Sequence, residues 1–255
     1  MSTVTELIRE LDDGIALLQL NRPQKMNAVN AAMRSAIQSA MHEIAGDPQV
    51  RVVIITGAGK AFCAGMDLSE AADNRTGVQP TDYLAEFGPD DWFPKPVITA
   101  VNGAAYGGGF RLAQFGDLCI ASDNATFAIP EAKWGRGMPW AAPLTRMLPR
   151  RILSELLLTG EPMSAARAFA VGLVNEVVSP EALLPRAWKV ARTIADNAPL
   201  TITAAKWLIR VGSEAGVGAT HAVAGEIFRH VYASEDAIEG PRAFREGRKP
   251  AWQGR

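Results

Sequence analysis

The stretch from residue 95 to 111 constrains the fold of this chain more than any other part of the sequence. It contains Val97–Val101, a β-branched and apolar run that follows a proline. This pattern predicts a strand that is buried on both faces, as in a parallel sheet. Asn102 and Gly103 follow directly and predict a sharp bend of the chain. The stretch therefore predicts a buried strand that ends in a turn.

A glycine triplet at 107–109 follows this turn. Glycines let the backbone approach a ligand closely, because no Cβ atom stands between them. A helix is predicted at 110–115, and Gly116 ends it. The first N–H groups of such a helix have no partner inside it, and the positive end of the helix dipole lies behind them. This place favours an anion, or a carbonyl oxygen that becomes one during a reaction.

Length and composition predict a globular protein with a large core. The chain has 255 residues, of which 48% are hydrophobic, so it can form one large domain or a domain with an appendage. Its formal net charge is −1 and it has no basic block, which argues against a surface that binds nucleic acid.

The cysteines and the charge pattern exclude further classes. Cys63 and Cys119 are the only cysteines, so neither a disulfide framework nor a cysteine-based zinc site is expected. The histidines lack the spacing of metal ligands, and we expect no metal. Charged residues near the beginning argue against a secretory signal, and no 18-residue apolar run would span a membrane. We therefore expect a cytoplasmic protein without membrane segments.

Alternating strands and helices predict an α/β fold. A helix is expected after Asn30, which can cap it, and Gly46 would end it. Further strands are predicted at 14–20, 50–56, 117–122, 126–129 and 174–178, the first of them antiparallel to the stretch that precedes it. Strands that alternate with helices favour a parallel sheet with crossover helices.

The remaining segments differ in character. Residues 69–94 are polar and contain several Gly and Pro, which predicts a mobile connection over a binding site. Helices predominate towards the end of the chain, with beginnings predicted at Pro180 and Pro199. We therefore divide the chain into a core at 1–195 and a helical region at 196–255.

Common nucleotide and nucleophile motifs do not fit. The pair Gly57 and Gly59 begins like a dinucleotide fingerprint, but Phe62 occupies the position of the third glycine. Gly103 and Gly108 have the spacing of a P-loop, yet Gly109 stands where the lysine is required. The serine elbow of the α/β-hydrolases is also missing.

The combined motifs resemble the crotonase (enoyl-CoA hydratase/isomerase) family. Two glycine turns carry the resemblance, at 64–67 (AGMD) and at 107–109. Other landmarks follow in the family's order, namely 21–23 with 27–28, 95–98, 127–131, 158–160, 170–174 and 234–244. The last of these is most similar to carnitinyl-CoA dehydratase-like members of the family. The resemblance covers essentially the whole chain.

This resemblance implies a crotonase-like spiral of ββα units with a C-terminal helical oligomerisation region. It implies that the core binds an acyl-CoA thioester, that no cofactor other than coenzyme A is needed, and that the chain forms a homo-oligomer, a trimer or hexamer. The backbone N–H groups of Met66 and Gly108 would form the oxyanion hole. The residues implied in binding substrate or CoA are Gln24, Lys25, Met26, Ala28, Cys63, Ala64, Asp67, Leu68, Gly107, Trp140 and Phe244, the last of them contributed by a neighbouring subunit.

Three positions depart from the family's hydratases. These enzymes carry two glutamates, and the later one is Glu131 here, whereas Arg111 occupies the place of the earlier one. Arginine can neither accept nor release a proton at ordinary pH, so a reaction with two acid–base groups is disfavoured. Trp140 stands where the family has a glycine near the catalytic water. The family's C-terminal lysine is also displaced, with Gly247 in its place.

One carboxylate beside an oxyanion hole therefore predicts an enzyme in which Glu131 alone moves protons. Hydration, dehydration and double-bond isomerisation of an enoyl-CoA all remain open, with a role for Arg111 in contacting Glu131 or the substrate. Alternatives within the same family are acyl-CoA hydrolysis and decarboxylation. A non-catalytic acyl-CoA-binding protein is the alternative outside enzymes.

Overall fold

The computed structural model describes residues 5–73 and 92–255, with side chains at 71–73 excepted. Most of the connection predicted at 69–94 therefore lies outside the described residues. Its first part is a short helix rather than an irregular segment, because α2 spans Leu68–Asp73. Within the described ranges, no helix is both long and apolar enough to cross a membrane.

A six-stranded sheet forms the centre of the molecule. Its strands are β1 (Leu7–Asp12), β2 (Ile15–Leu20), β3 (Val52–Gly57), β5 (Val97–Val101), β7 (Leu118–Ser122) and β10 (Glu176–Val178), in the order β1-β2-β3-β5-β7-β10. Only β1 and β2 pair antiparallel, as predicted, and the other neighbours are parallel. All residues of β3 and β5 are buried, which explains why their sequences are apolar except for one threonine in each strand.

A second sheet is built from very short strands. These are β4 (Ala61–Cys63), β6 (Ala104–Tyr106), β8 (Thr126–Ala128) and β9 (Met163–Ser164), in the order β4-β6-β8-β9. The first three pair parallel and the last pair is antiparallel. Strand β6 lies inside the segment that the sequence predicted to be only a turn, so that prediction is wrong at this point.

The chain winds as a spiral because it alternates between the two sheets. Each of the strands β3, β5 and β7 lies in the large sheet, and the strand that follows it lies in the small sheet. The turn between the two strands is tight, because a Cβ on Gly103 would lie 2.1 Å from the carbonyl oxygen of Lys60 in the preceding turn. The predicted spiral of ββα units is confirmed.

The helices are placed between and after these strand pairs. They are α1 (Ala31–Gly46), α3 (Gly108–Phe115), α4 (Leu144–Met147), α5 (Arg150–Thr159), α6 (Ala165–Ala170), α7 (Pro180–Ala195), α8 (Pro199–Ala215), α9 (Val217–Tyr232) and α10 (Asp236–Glu246). Helix α1 begins as predicted, because the Asn30 side chain accepts a hydrogen bond from the N–H of Met33. Helix α3 begins two residues earlier than predicted, within the glycine triplet.

Two apolar clusters lie on the two faces of the large sheet. On one face, Leu183, Ala187 and Ala191 of α7 pack against a row of strand residues that includes Ile54 and Ile98. The larger cluster, on the other face, joins α1, α3 and the small sheet. The site described below is built on this second side, where the ends of the short strands meet α3.

Candidate active site

The two glycine turns meet backbone to backbone. Gly65 has a φ of +92° and Gly107 a φ of +53°, both in the region that side chains disfavour. A Cβ on Gly65 would lie 3.1 Å from the amide nitrogen of Gly108, and one on Gly109 would lie 2.0 Å from the carbonyl oxygen of Cys63. The close approach therefore requires glycine, and it brings the turn that carries Met66 beside Gly108.

Gly108 is the first residue of α3, and its N–H has no intrahelical acceptor. The first hydrogen bond at this end runs from the N–H of Arg111 to the carbonyl oxygen of Gly107. The N–H groups that precede it point out of the helix, where the helix dipole is positive. Such a donor stabilises a carbonyl oxygen that gains negative charge.

Val29 holds the backbone on both sides of Met66 through two hydrogen bonds. The N–H of Val29 donates to the carbonyl oxygen of Gly65 at 2.7 Å, and the N–H of Asp67 donates to the carbonyl oxygen of Val29 at 3.0 Å. Together these bonds form a parallel bridge between Val29 and Met66. The backbone of Met66 therefore has a fixed orientation next to the first turn of α3.

Glu131 lies directly beside the second glycine turn. It belongs to a 3-10 helix, Pro130–Trp134, and its Oε1 is 3.1 Å from the position that a Cβ on Gly107 would occupy. Its Oε2 is buried and has no hydrogen-bond partner among the residues that the structure describes. Burial raises the pKa of this carboxyl above the ordinary value, only partly offset by a hydrogen bond from its own backbone. A carboxyl in this state can both accept and release a proton.

Arg111 and Trp140 lie on the α3 side of the site. Arg111 is partly buried in the first turn of α3, one helical turn from Gly108. The Trp140 ring lies 6.2 Å from the ring of Phe110, centroid to centroid, and its carbonyl oxygen accepts a hydrogen bond from Gln114. A bulky ring therefore packs against the helix that carries Gly108, and an arginine stands where a second acid–base group would be needed.

Three of the predicted CoA-binding residues lie exposed next to the first glycine turn, whereas Cys63 is fully buried, Trp140 packs against α3 and Phe244 lies on α10. Gln24, Lys25 and Met26 are exposed, the first two within the 3-10 helix Pro23–Lys25. The N–H of Ala64 donates to the carbonyl oxygen of Met26 at 2.9 Å, so this loop lies against the turn at 63–67. The structure thus brings residues that are distant in sequence to one edge of the site.

Asn27 holds this loop in place from inside. It is fully buried and has a φ of +55°. Its side-chain nitrogen donates to the carbonyl oxygens of Ala58 and Ala61, at 2.9 and 2.7 Å, and its side-chain oxygen accepts from the N–H of Arg22. This role of Asn27 was not predicted from the sequence, although a buried Asn in a loop suggests a side chain that satisfies backbone groups.

Asp67 forms an ion pair with Arg22, a residue that was not among the predicted site residues. Arg22 Nη1 lies 3.1 Å from Asp67 Oδ2, and Asp67 Oδ1 accepts from the N–H of Ser69. Burial alone would raise the pKa of Asp67, but the hydrogen bond and charge of Arg22 lower it below the usual value. Asp67 is thus an anion that holds two loops together. The next residue, Leu68, is exposed, and Ala28, which precedes Val29, is partly buried.

Neither cysteine has the properties of a nucleophile. Cys63 is buried below the first glycine turn, and burial raises the pKa of its thiol to about 12. Burial raises the pKa of Cys119 to about 12 as well. A thiol reacts as the thiolate, so neither group attacks a thioester at neutral pH. No cluster of three potential metal ligands occurs in the described ranges.

Phe244 lies on α10, in the C-terminal helical region, and 89% of it is exposed. This exposure leaves its ring accessible to a second copy of the chain. The nearby Arg248 guanidinium is bonded to the carboxylates of Glu239 and Glu246. It is therefore occupied within its own subunit.

This combination of fold and site defines a class of enzyme. The spiral of strand pairs brings two glycine turns together beside one half-buried carboxyl, an arrangement suited to a thioester that becomes an enolate. Comparison with known proteins gives the same class. The Enoyl-CoA hydratase/isomerase family profile matches residues 10–255.

Individual relatives agree with this match over nearly the full length. The chain is 42% identical to the carnitinyl-CoA dehydratase of Citrobacter koseri and to that of Escherichia coli O157:H7, with 93% of this chain and 94% of each relative covered. Among solved structures, enoyl-CoA hydratase EchA1 of Mycobacterium marinum has a TM-score of 0.90 at 38% identity, covering 99% of this chain and all of that one. The enoyl-CoA hydratase of Mycobacterium tuberculosis H37Rv has the same TM-score at 36% identity and the same coverage.

The chain therefore belongs to the enoyl-CoA hydratase/isomerase family. The predicted fold class, the predicted enzyme class and the acyl-CoA thioester as substrate are confirmed. The roles of the individual site residues stay predictions, as does the boundary between a core at 1–195 and a helical region at 196–255.

Proposed function

We propose that this enzyme moves protons next to the thioester carbonyl of an acyl-CoA, with Glu131 as its single acid–base group. The observation that carries the proposal is the half-buried Glu131 carboxyl beside Gly107, whose Oε2 is buried and has no partner among the described residues. The N–H groups of Met66 and Gly108 hold the carbonyl oxygen. Two such donors stabilise the enolate oxygen, and one alone contributes about 3–4 kcal/mol in comparable sites.

The reaction that needs no second acid–base group is a shift of the double bond. Glu131 removes a proton from C2 of a 3-enoyl-CoA, and the electron pair moves into the thioester as an enolate. The protonated Glu131 then returns the same proton to C4, and the double bond ends between C2 and C3. Arg111 takes no part in the proton transfer, because a guanidinium does not release its proton.

Dehydration is the second candidate, and the likeness to carnitinyl-CoA dehydratases favours it. In this reaction Glu131 removes the C2 proton of a 3-hydroxyacyl-CoA. The protonated carboxyl then gives that proton to the departing hydroxyl group, so that water and a 2-enoyl-CoA are formed. One carboxyl is sufficient if both groups lie on its side of the substrate.

The remaining parts of the proposal concern the partners. Coenzyme A enters as part of the substrate, along the surface formed by Gln24, Lys25 and Met26, with the backbone of the buried Cys63 and of Ala64 beneath it, and no separate cofactor or metal takes part. The enzyme acts in the cytoplasm as a homotrimer or hexamer, in which Phe244 extends towards a neighbouring subunit.

The test is turnover of 3-enoyl-CoA, 2-enoyl-CoA and 3-hydroxyacyl-CoA thioesters by the wild type and by Glu131→Gln. We expect Glu131→Gln to lose about 10³-fold or more in kcat, because the amide cannot move a proton. Glu43→Gln is the matched control, since this exposed glutamate pairs with Arg9 away from the site. It should retain wild-type rates.

The pH profile provides a second readout. Because burial raises the pKa of Glu131, kcat/KM should fall as the pH decreases through a value above the ordinary 4.5. Isomerisation without dehydration supports the first candidate, and dehydration without isomerisation the second. Hydrolysis or decarboxylation of a thioester, or binding without turnover, would contradict both, and so would a fully active Glu131→Gln.

A further inference from the structure

Arg22 and Asp67 form an ion pair that is largely removed from solvent. Their charged atoms lie 3.1 Å apart, and each side chain is only 12% exposed. Surface ion pairs contribute little, but removal of one partner of a buried pair leaves an uncompensated charge. The arrangement of this pair therefore constrains the segments that carry it more strongly than an ordinary surface contact would.

Arg22 is also the shared partner of several acceptors. Its Nη1 donates to the carbonyl oxygen of Ala28 as well as to Asp67, and its Nε lies 3.5 Å from Glu6 Oε1. The other oxygen of Glu6 is buried and has no partner within the described part of the chain. One planar guanidinium thus donates hydrogen bonds to two oxygen acceptors and forms an ion pair with a further carboxylate, a geometry that the point charge of a lysine does not reproduce.

The segments joined in this way are the two that matter for substrate. One is the loop at 22–29, which includes the exposed residues 24–26. The other is the turn at 63–67, which includes Met66. Backbone hydrogen bonds connect the same two segments from Ala64 to Met26 and from Asp67 to Val29, at 2.9 and 3.0 Å.

Met66 stands at the end of this connection. The residues on both sides of it, Gly65 and Asp67, are hydrogen-bonded to Val29. A displacement of the loop at 22–29 would therefore turn the Met66 peptide, whose N–H has to point at the substrate oxygen. The ion pair fixes the same peptide through the side chain of the following residue.

We propose that Arg22 and Asp67 are positioning residues that couple the CoA-contacting loop to the Met66 donor, so that contacts with the nucleotide part of CoA raise kcat. This inference rests on the proposed function, in which residues 24–26 contact CoA and Met66 belongs to the oxyanion hole. Binding energy from a remote part of a substrate can be used to orient the reacting centre, and truncated substrates then lose kcat as well as affinity.

The experiment compares a full acyl-CoA with the matching acyl-pantetheine, which lacks the nucleotide. For the wild type we expect kcat to be about tenfold or more higher with acyl-CoA than with acyl-pantetheine. In Asp67→Asn and in Arg22→Lys, kcat with acyl-CoA should fall towards the acyl-pantetheine value, while KM for acyl-CoA changes little. The double variant should be no worse than the single ones, because the two residues act as a unit.

Controls separate this coupling from a general loss of structure. Glu155→Gln breaks the exposed ion pair with Arg167 and should keep the wild-type ratio of kcat values. Thermal unfolding of each variant establishes that it is folded under the assay conditions. If Arg22→Lys does not fold, Asp67→Asn still decides the outcome, because it keeps the size and shape of the side chain.

Two results would overturn the coupling without touching the proposed function. One is a wild-type enzyme with equal kcat on both substrates. The other is a pair of variants that slow both substrates by the same factor. Failure of the proposed function has a different signature, namely a Glu131→Gln enzyme that still turns over acyl-CoA.

Discussion

The region of the glycine turns and the C-terminal helices differ in how far their apolar residues are buried. In the glycine-turn region, defined as residues 52–67 and 97–116, strands β3 and β5 are wholly buried. In the C-terminal helical region, at 196–255, the buried residue of α8 is Ala204 and that of α9 is Ile227. Large apolar side chains in this region are instead exposed, among them Ile209, Val217 and Tyr232.

This difference shows which part of the structure is determined by contacts within one chain and which part leaves apolar surface exposed. In the glycine-turn region, backbone meets backbone at distances that leave no space for a side chain, so the geometry is set within the subunit. In the C-terminal helical region, exposed apolar groups are numerous, and such surfaces are typical of interaction sites. The comparison therefore separates glycine turns whose geometry is set within one chain from a helical surface that is suited to contact a second copy.

The same substitution should have opposite effects in the two regions, and this is the largest difference that we expect. A Cβ on Gly109 would lie 2.0 Å from the carbonyl oxygen of Cys63, whereas one on Gly225 in α9 has nothing within 4 Å. Gly109→Ala should lower the free energy of unfolding by at least about 3 kcal/mol or prevent folding. Gly225→Ala should raise it by about 0.5–1 kcal/mol, because alanine is the better helix former.

Urea denaturation followed by circular dichroism measures both effects. The two variants control for each other, because the added methyl group is the same. A Gly109→Ala protein as stable as the wild type would show that the turns are not in tight contact. A clearly destabilised Gly225→Ala protein would show that α9 is already covered in solution.

A substitution at the junction between the two regions should change the free energy of unfolding by an intermediate amount. Lys206 of α8 is 13% exposed, and its ammonium group bonds to Asp117 and to the carbonyl oxygen of Lys95 at the base of β5. The rings of Trp92 and Phe93 lie 5.6 and 5.8 Å from it. Lys206→Met should keep the packing but lower the free energy of unfolding by about 1–2 kcal/mol, because the bonds of the largely buried ammonium group to Asp117 and to the carbonyl oxygen of Lys95 are lost.

Lys189→Met is the control for this change. Lys189 lies exposed on α7, and its replacement should alter the free energy of unfolding by less than about 0.5 kcal/mol. Equal losses in the two variants would mean that the ion pair does not attach α8 to the core. Both are measured by urea denaturation, with the slope of the transition compared to detect a change in cooperativity.

Long and periodic elements of the fold could be predicted from the sequence. Strand β5 and the beginning of α1 were predicted where they lie, because a continuous apolar run and a capping Asn are local signals. The strand predicted at 126–129 contains β8, but the small sheet as a whole was not predicted. Its strands are two or three residues long, and a run of that length has no recognisable alternation.

The site was predictable only in part for a related reason. Glycine turns and Glu131 carry signals of their own, since a turn needs glycine and a carboxylate suggests acid–base chemistry. The contact of Arg22 with Asp67 joins positions far apart in the sequence and depends on how two loops pack. Arginine and aspartate are common loop residues, so nothing local distinguishes this pair from solvated charges.

The smallest expected effect concerns the assembly surface itself. Phe244 is 89% exposed, although its neighbour Ala243 is buried, so α10 turns a large ring outward. If a second copy covers this ring, Phe244→Ser should raise the dissociation constant of the oligomer by about tenfold, because burial of a phenylalanine contributes about 1.5–3 kcal/mol when complete. Sedimentation equilibrium measures the change.

Leu11→Ser is the control, since Leu11 is an exposed apolar residue on β1, and it should leave the association unchanged. A wild-type protein that sediments as a single chain, or two variants that dissociate alike, would contradict the assignment of this surface to assembly. Oligomerisation would then have to use other apolar positions, and the contrast between the two regions would have a different cause.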